Sequence, residues 1–194
     1  MRPAESFLTE LAARWTGRPL ILRIIGATAL TLQADHQRGT RDADVLETTE
    51  LDDETRALLL ALAGPGAELA ERWRLYVQIV RNGIPFLPRP PLWCPVELPS
   101  APPTIKVFAL DVVDVVVSKL KRFAPHDKAD IEAMIRADRV PHDLLVRRFL
   151  SAVDGFLGDA RESELPRYVA NLNEVERDLL GVDETEVELP DWID

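Results

Sequence analysis

A chain of 194 residues and 21.8 kDa, 46% hydrophobic and 29% charged, is long enough to bury one sizeable core, or one core with an appendage. Its 33 acidic and 23 basic side chains leave a formal net charge of −10, which excludes a general, charge-driven nucleic-acid binder while allowing local basic surface. The single cysteine, Cys94, excludes an internal disulfide and a multi-cysteine zinc site and fits a reducing, cytoplasmic setting; with no apolar run of roughly 18 residues, neither a signal peptide nor a membrane span is expected.

Phe7, Leu8, Leu11, Ala12 and Trp15 fall on one stripe, which predicts an amphipathic helix over 4–15, stopped by Gly17 and Pro19. The branched apolar run Leu20–Ile25 predicts a buried strand that ends at Gly26 and whose Arg23 must reach an edge or a partner. Residues 27–33 read as one or two helical turns, 35–40 as a polar turn and 43–46 as a second strand. Helical spacing returns over 50–62, with Asp52 and Asp53 placed to cap it, and Gly64-Pro65-Gly66 breaks it. Residues 74–80 alternate as a strand before the Asn82-Gly83 turn. Eight of the fifteen prolines stand between Pro85 and Pro103, which predicts a loop or edge segment there. A strand over 104–109 precedes four helical stretches, 111–122, 128–137, 143–156 and 162–180. The order gives an α+β core over 1–110, a helical region over 111–180 and a tail over 181–194.

Charge is concentrated at the end of the chain. From Glu174 to Asp194 there are nine acids and one base, Arg177, so this segment holds most of the net charge and the rest of the chain is only mildly acidic. Two readings stand: a solvated terminus, or a docking tail for a basic partner with Trp192 and Ile193 to insert.

The most informative stretch runs from Ile24-Ile25-Gly26-Ala27-Thr28 to Arg41-Asp42-Ala43-Asp44-Val45. Alternation along a strand places Asp42 and Asp44 on one face, about 7 Å apart. Two such carboxylates suit Mg²⁺, a hard ion that prefers oxygen and bridges to phosphates, and a glycine before a helix N-terminus lets backbone amides approach those phosphates. Asp-x-Asp alone also occurs in solvent loops. Arg38 and Arg41 flank the pair, either to bind phosphate or to offset carboxylate repulsion. His36, His126 and His142 are too scattered for a zinc site, no Walker, Rossmann or Gly-x-Ser-x-Gly pattern is present, and Cys94 reads as a small buried thiol.

In order and spacing these residues resemble the nucleotidyltransferase superfamily, in which a hydrophobic-Gly-Gly/Ser turn precedes an Asp-hydrophobic-Asp-hydrophobic motif. Gly26-Ala27 fills the turn and Asp42-Ala43-Asp44-Val45 the acidic motif. Ser118-Lys119-Leu120-Lys121-Arg122 and Asp127-Lys128-Ala129-Asp130-Ile131 are similar to the helical motifs of AbiEii-type nucleotidyltransferase toxins and related bacterial proteins. The resemblance implies a small mixed sheet with flanking helices and Mg²⁺-dependent transfer of a nucleoside monophosphate from a triphosphate to a hydroxyl of RNA or protein. It further implies a role in a toxin and antitoxin pair, with an antitoxin as partner. By the same resemblance Asp42 and Asp44 hold the metal, while Gly26, Ala27, Thr28, Arg41 and Arg122 contact the nucleotide. Lys119, Asp127 and Asp130 complete the site, although Lys119 also suits a solvated helix position and Asp127 a helix cap.

Two departures from the pattern stand out: Ala27 replaces the second Gly or Ser, and the strand that carries a third carboxylate in many members offers Gln78. Asp111, Asp114, Asp127 and Asp130 are the acids that could substitute. The departures also support an alternative, a nucleotide-binding or protein-interaction module on the same fold without turnover.

Overall fold

The computed structural model describes residues 2–34, 36, 39–99 and 104–193. Arg38, expected beside the acidic pair, and Asp194 of the tail lie outside the described residues. Backbone packing divides the chain into two units, 1–84 with 93–111 and 85–92 with 112–194.

The first unit is α+β. Its strands are β1 (Leu20–Ile25), β2 (Asp42–Leu46), β3 (Tyr76–Val80), β4 (Trp93–Val96) and β5 (Ile105–Leu110), in the spatial order β3-β2-β1-β5-β4. Pairs β1–β5 and β2–β3 are parallel, β1–β2 and β4–β5 antiparallel. Four helices accompany them: α1 (Pro3–Arg14), α2 (Gly26–Gln33), α3 (Asp53–Ala63) and α4 (Glu68–Trp73), of which α2, α3 and α4 pack on strands.

The period-2 pattern gives the sheet two different faces. Leu20, Leu22, Ile24, Ala43, Val45, Val77, Val107 and Ala109 share one face and are all buried. The other carries Arg23, Asp42, Asp44, Tyr76, Gln78 and Lys106, none of them buried. Arg23 meets the need seen in the sequence by reaching across β5, its guanidinium 5.7 Å from the Trp93 ring centroid on edge strand β4.

The proline-rich stretch holds an edge segment, as expected: β4 keeps Pro95 because an edge strand tolerates a missing N–H. Two features differ from expectation. Helix α4 follows the Gly64-Pro65-Gly66 break, burying Leu69 and Ala70, and ends at Arg74 in the left-handed region. Cys94 is half-buried rather than buried, its Sγ 3.9 Å from Asp111 Oδ2.

The second unit is helical: α5 (Val112–Leu120), α6 (Pro125–Arg136), α7 (His142–Phe156) and α8 (Leu165–Val175), the last continued by a π-helical turn, Glu176–Leu180. Helix α5 is apolar almost all round and packs against α6, α7 and α8, as a central helix must. Residues 85–92 belong to this unit. Phe86 is fully buried, its ring edge-on to Phe149 and Phe156 at 5.6 and 5.2 Å and tilted against Tyr168 at 5.0 Å. Buried Asp114 receives the Arg148 guanidinium at 2.6 and 2.7 Å and the Leu92 N–H at 2.8 Å. Beyond the π turn, Thr185 donates its N–H and hydroxyl to the buried carboxylate of Glu176, which His142 Nε2 also meets at 2.7 Å. No helix is long and apolar enough to cross a membrane, among the described residues.

Candidate active site

In the first unit, β1 ends where Ile25 pairs with Asp44, and the chain turns at Gly26 into α2. The turn requires glycine twice over. Its φ is +66°, where a side chain is strained, and a Cβ there would stand 2.8 Å from Asp44 Oδ2. The backbone that opens α2 therefore lies directly against one of the two predicted metal-binding carboxylates.

The neighbouring hydrogen bonds fix β2 against α2. Buried Thr28 donates its hydroxyl to the Asp42 carbonyl at 2.8 Å, so this side chain holds β2 and its backbone amide is the group left to offer a ligand. Thr40 Oγ1 donates to Asp42 Oδ1 at 2.5 Å, orienting that carboxylate. Arg41 is exposed, and its carbonyl accepts the Tyr76 N–H at 2.9 Å, starting the β2–β3 ladder. The first N–H groups of any α-helix lack intrahelical acceptors, so Gly26, Ala27 and Thr28 bring amide dipoles to the Asp42–Asp44 end of the sheet.

Gln78 pairs with Asp44 across β2 and β3, so the neutral amide stands on the same face as the carboxylates, as the sequence departure anticipated. Asp111 directly follows β5, which runs parallel to β1, placing it at the same sheet end as Gly26. Among the described residues, no group of three His, Cys, Asp or Glu is arranged to hold a metal ion. Two half-buried carboxylates with oxygen donors only still fit Mg²⁺, which commonly takes one or two carboxylates and completes its shell with water and substrate phosphates.

The second unit brings Lys119, Arg122, Asp127 and Asp130 together. Lys119 is 7% exposed, with its ammonium 3.0 Å from Asp127 Oδ1 and 2.8 Å from Asp130 Oδ2. It is therefore not the solvated helix position that spacing also allowed. Arg122 grips Asp127 through Nε and Nη2 at 2.7 and 2.9 Å, and Asp127 accepts the Ala124 N–H at 3.2 Å, closing the first turn of α6. Burial pushes the Asp127 carboxyl up, but the Arg122 hydrogen bond and the Lys119 charge outweigh it and hold it at about 2. Two carboxylates and two cations make this cluster neutral as a whole. Of the four acids weighed as a third ligand, Asp114, Asp127 and Asp130 each have cationic partners within this unit.

The pairing of Asp127 and Asp130 with Lys119, and of Asp114 with Arg148, was open to sequence reasoning through one signal. A charged residue inside an apolar helix such as α5 must find an opposite charge.

Residues 8–180 match the family described as a nucleotidyltransferase of unknown function (DUF6036). The chain belongs to that family, which implies a nucleotide substrate. No curated protein and no solved structure matches the chain.

Proposed function

We propose that this nucleotidyltransferase moves a nucleoside monophosphate from a triphosphate to a hydroxyl acceptor on RNA or protein, with Mg²⁺ held by Asp42 and Asp44, as the toxin of a toxin and antitoxin pair. The observation that carries this reading is the close approach of the Gly26 turn to Asp44, which sets helix amides beside paired carboxylates. When bound, Mg²⁺ supplies positive charge to phosphate oxygens during in-line displacement of pyrophosphate.

The chain's own groups do the rest. Amides of Gly26, Ala27 and Thr28 bind phosphate oxygens, and Arg41 adds positive charge from an exposed position. Thr40 orients Asp42, and the Thr28 hydroxyl holds β2 in place. Lys119, Asp127 and Asp130, tied to one another, act as positioning residues that join α5 to α6, and Arg122 presents its guanidinium at the exposed rim of that cluster. Beyond Gly181, the exposed acids Asp183, Glu184, Glu186, Glu188 and Asp191 face an antitoxin or another basic partner.

The test is incubation with Mg²⁺, each α-labelled nucleoside triphosphate and cell extract. Label should enter RNA or protein, and the Asp42→Ala/Asp44→Ala chain should transfer none. Equal labelling by that variant refutes the assignment. A second reading, a nucleotide-binding module without turnover, draws on Gln78 standing beside Asp44. It predicts calorimetric nucleotide binding with no release of pyrophosphate.

A further inference from the structure

Gln78 is exposed on the same sheet face as Asp42 and Asp44 and is the register partner of Asp44 in the parallel β2–β3 pair. Matched residues on adjacent strands lie ~4.8 Å apart. An acid at this position would thus give the pair a third anionic oxygen donor, whereas the amide adds a neutral one. No other His, Cys, Asp or Glu completes a metal-holding group of three there, among the described residues. Mg²⁺ surrenders its hydration waters reluctantly, and cation affinity follows the charge count of the ligands.

We infer that Gln78 keeps the Asp42–Asp44 pair from holding a divalent cation by itself, so that cation and triphosphate bind as one unit. The inference rests on the nucleotidyl-transfer reading above. Two carboxylates with a neutral neighbour leave most of the cation's coordination to be filled by phosphate oxygens, and each ligand then raises the affinity for the other by the same factor. The free protein waits without metal, and the composition of the bound pair is set by the nucleotide.

Mn²⁺ serves as the probe, followed by water-proton relaxation with the full chain, alone and with α,β-methylene analogues of the four nucleoside triphosphates. Wild type is expected to take up no Mn²⁺ alone at concentrations where it does so with an analogue. Gln78→Glu should bind Mn²⁺ alone at least ~10-fold more tightly than wild type, because one more carboxylate has joined the set. Gln78→Asp is the second variant, and circular dichroism checks that both are folded. Wild-type binding of Mn²⁺ alone, as tight as with an analogue and abolished by Asp44→Asn, overturns the inference and leaves the nucleotidyl-transfer reading intact. So does indifference of both Gln78 variants. Failure of wild type to take up Mn²⁺ with any analogue overturns the nucleotidyl-transfer reading itself.

Discussion

Replacing Gly26 by alanine separates what the backbone needs from what the carboxylate needs. Holding an alanine at φ +66° costs about 1–2 kcal/mol. At roughly 2–4 °C per kcal/mol for a chain of this size, the melting temperature should fall by about 2–8 °C. The new Cβ would also stand 2.8 Å from Asp44 Oδ2, against 3.4 Å or more in ordinary contact, so the carboxylate must retreat by about 0.6 Å. Misplacement of a reacting group by ~1 Å costs on the order of 100-fold, so a ~10- to 100-fold loss of nucleotide transfer is expected. Gly66→Ala is the control: its φ is +80° and a Cβ there meets nothing within 4 Å, so it shares the strain without the contact. Both variants are followed by thermal melting and by Mg²⁺-dependent pyrophosphate release. If Gly26→Ala keeps the activity of Gly66→Ala at a matched loss of stability, the approach of the turn to Asp44 has no catalytic meaning and the argument fails.

Thr28→Val removes the hydroxyl that holds the Asp42 carbonyl, and should cost about 1–3 kcal/mol in urea titrations while slowing transfer, because β2 loses its tie to α2. Lys119→Met leaves the buried carboxylates of Asp127 and Asp130 without their ammonium, and a loss of about 3–5 kcal/mol is expected from chemical denaturation; a change under ~1 kcal/mol would contradict the buried pairing. Asp127 has its pKa lowered from 3.8 to about 2, so its contribution is fully present above the unfolded value and is lost as pH falls through the folded one. Between about pH 4 and pH 2, wild type should therefore lose stability faster than Asp127→Asn, and parallel denaturation midpoints for the two would refute the assignment.

Strands β1 and β2 and the turn between them were legible because branched runs, a glycine and alternating acids each speak locally. Helix α4 was not, since six residues make under two turns and show no period; its existence depends on burying Leu69 and Ala70. For the proline-rich stretch the sequence left loop or edge open, and β4 takes the edge because β5 offers partners that no local pattern records. Asp42 and Gly26 were singled out by spacing and Gln78 by its departure from the family resemblance, but the 2.8 Å approach that ties Gly26 to Asp44 belongs to the β1–β2 register. The role of Lys119 was undecided in the sequence, because a lysine three positions after Val116 suits solvent or core equally until α6 supplies Asp127 and Asp130.

Residues 85–92 lie with the helical unit although the chain on either side of them lies with the sheet unit. The polypeptide consequently passes between the units three times, before Pro85, after Leu92 and after Asp111. A single cut cannot release either half whole. Stopping at Asp111 would strand Phe86 without Phe149, Phe156 and Tyr168, and starting at Val112 would leave those rings around a hole and Asp114 without the Leu92 N–H. The helical unit is thus woven into the sheet unit at the level of the covalent chain, and gene fusions or truncations that treat it as a detachable module should yield insoluble fragments rather than working parts.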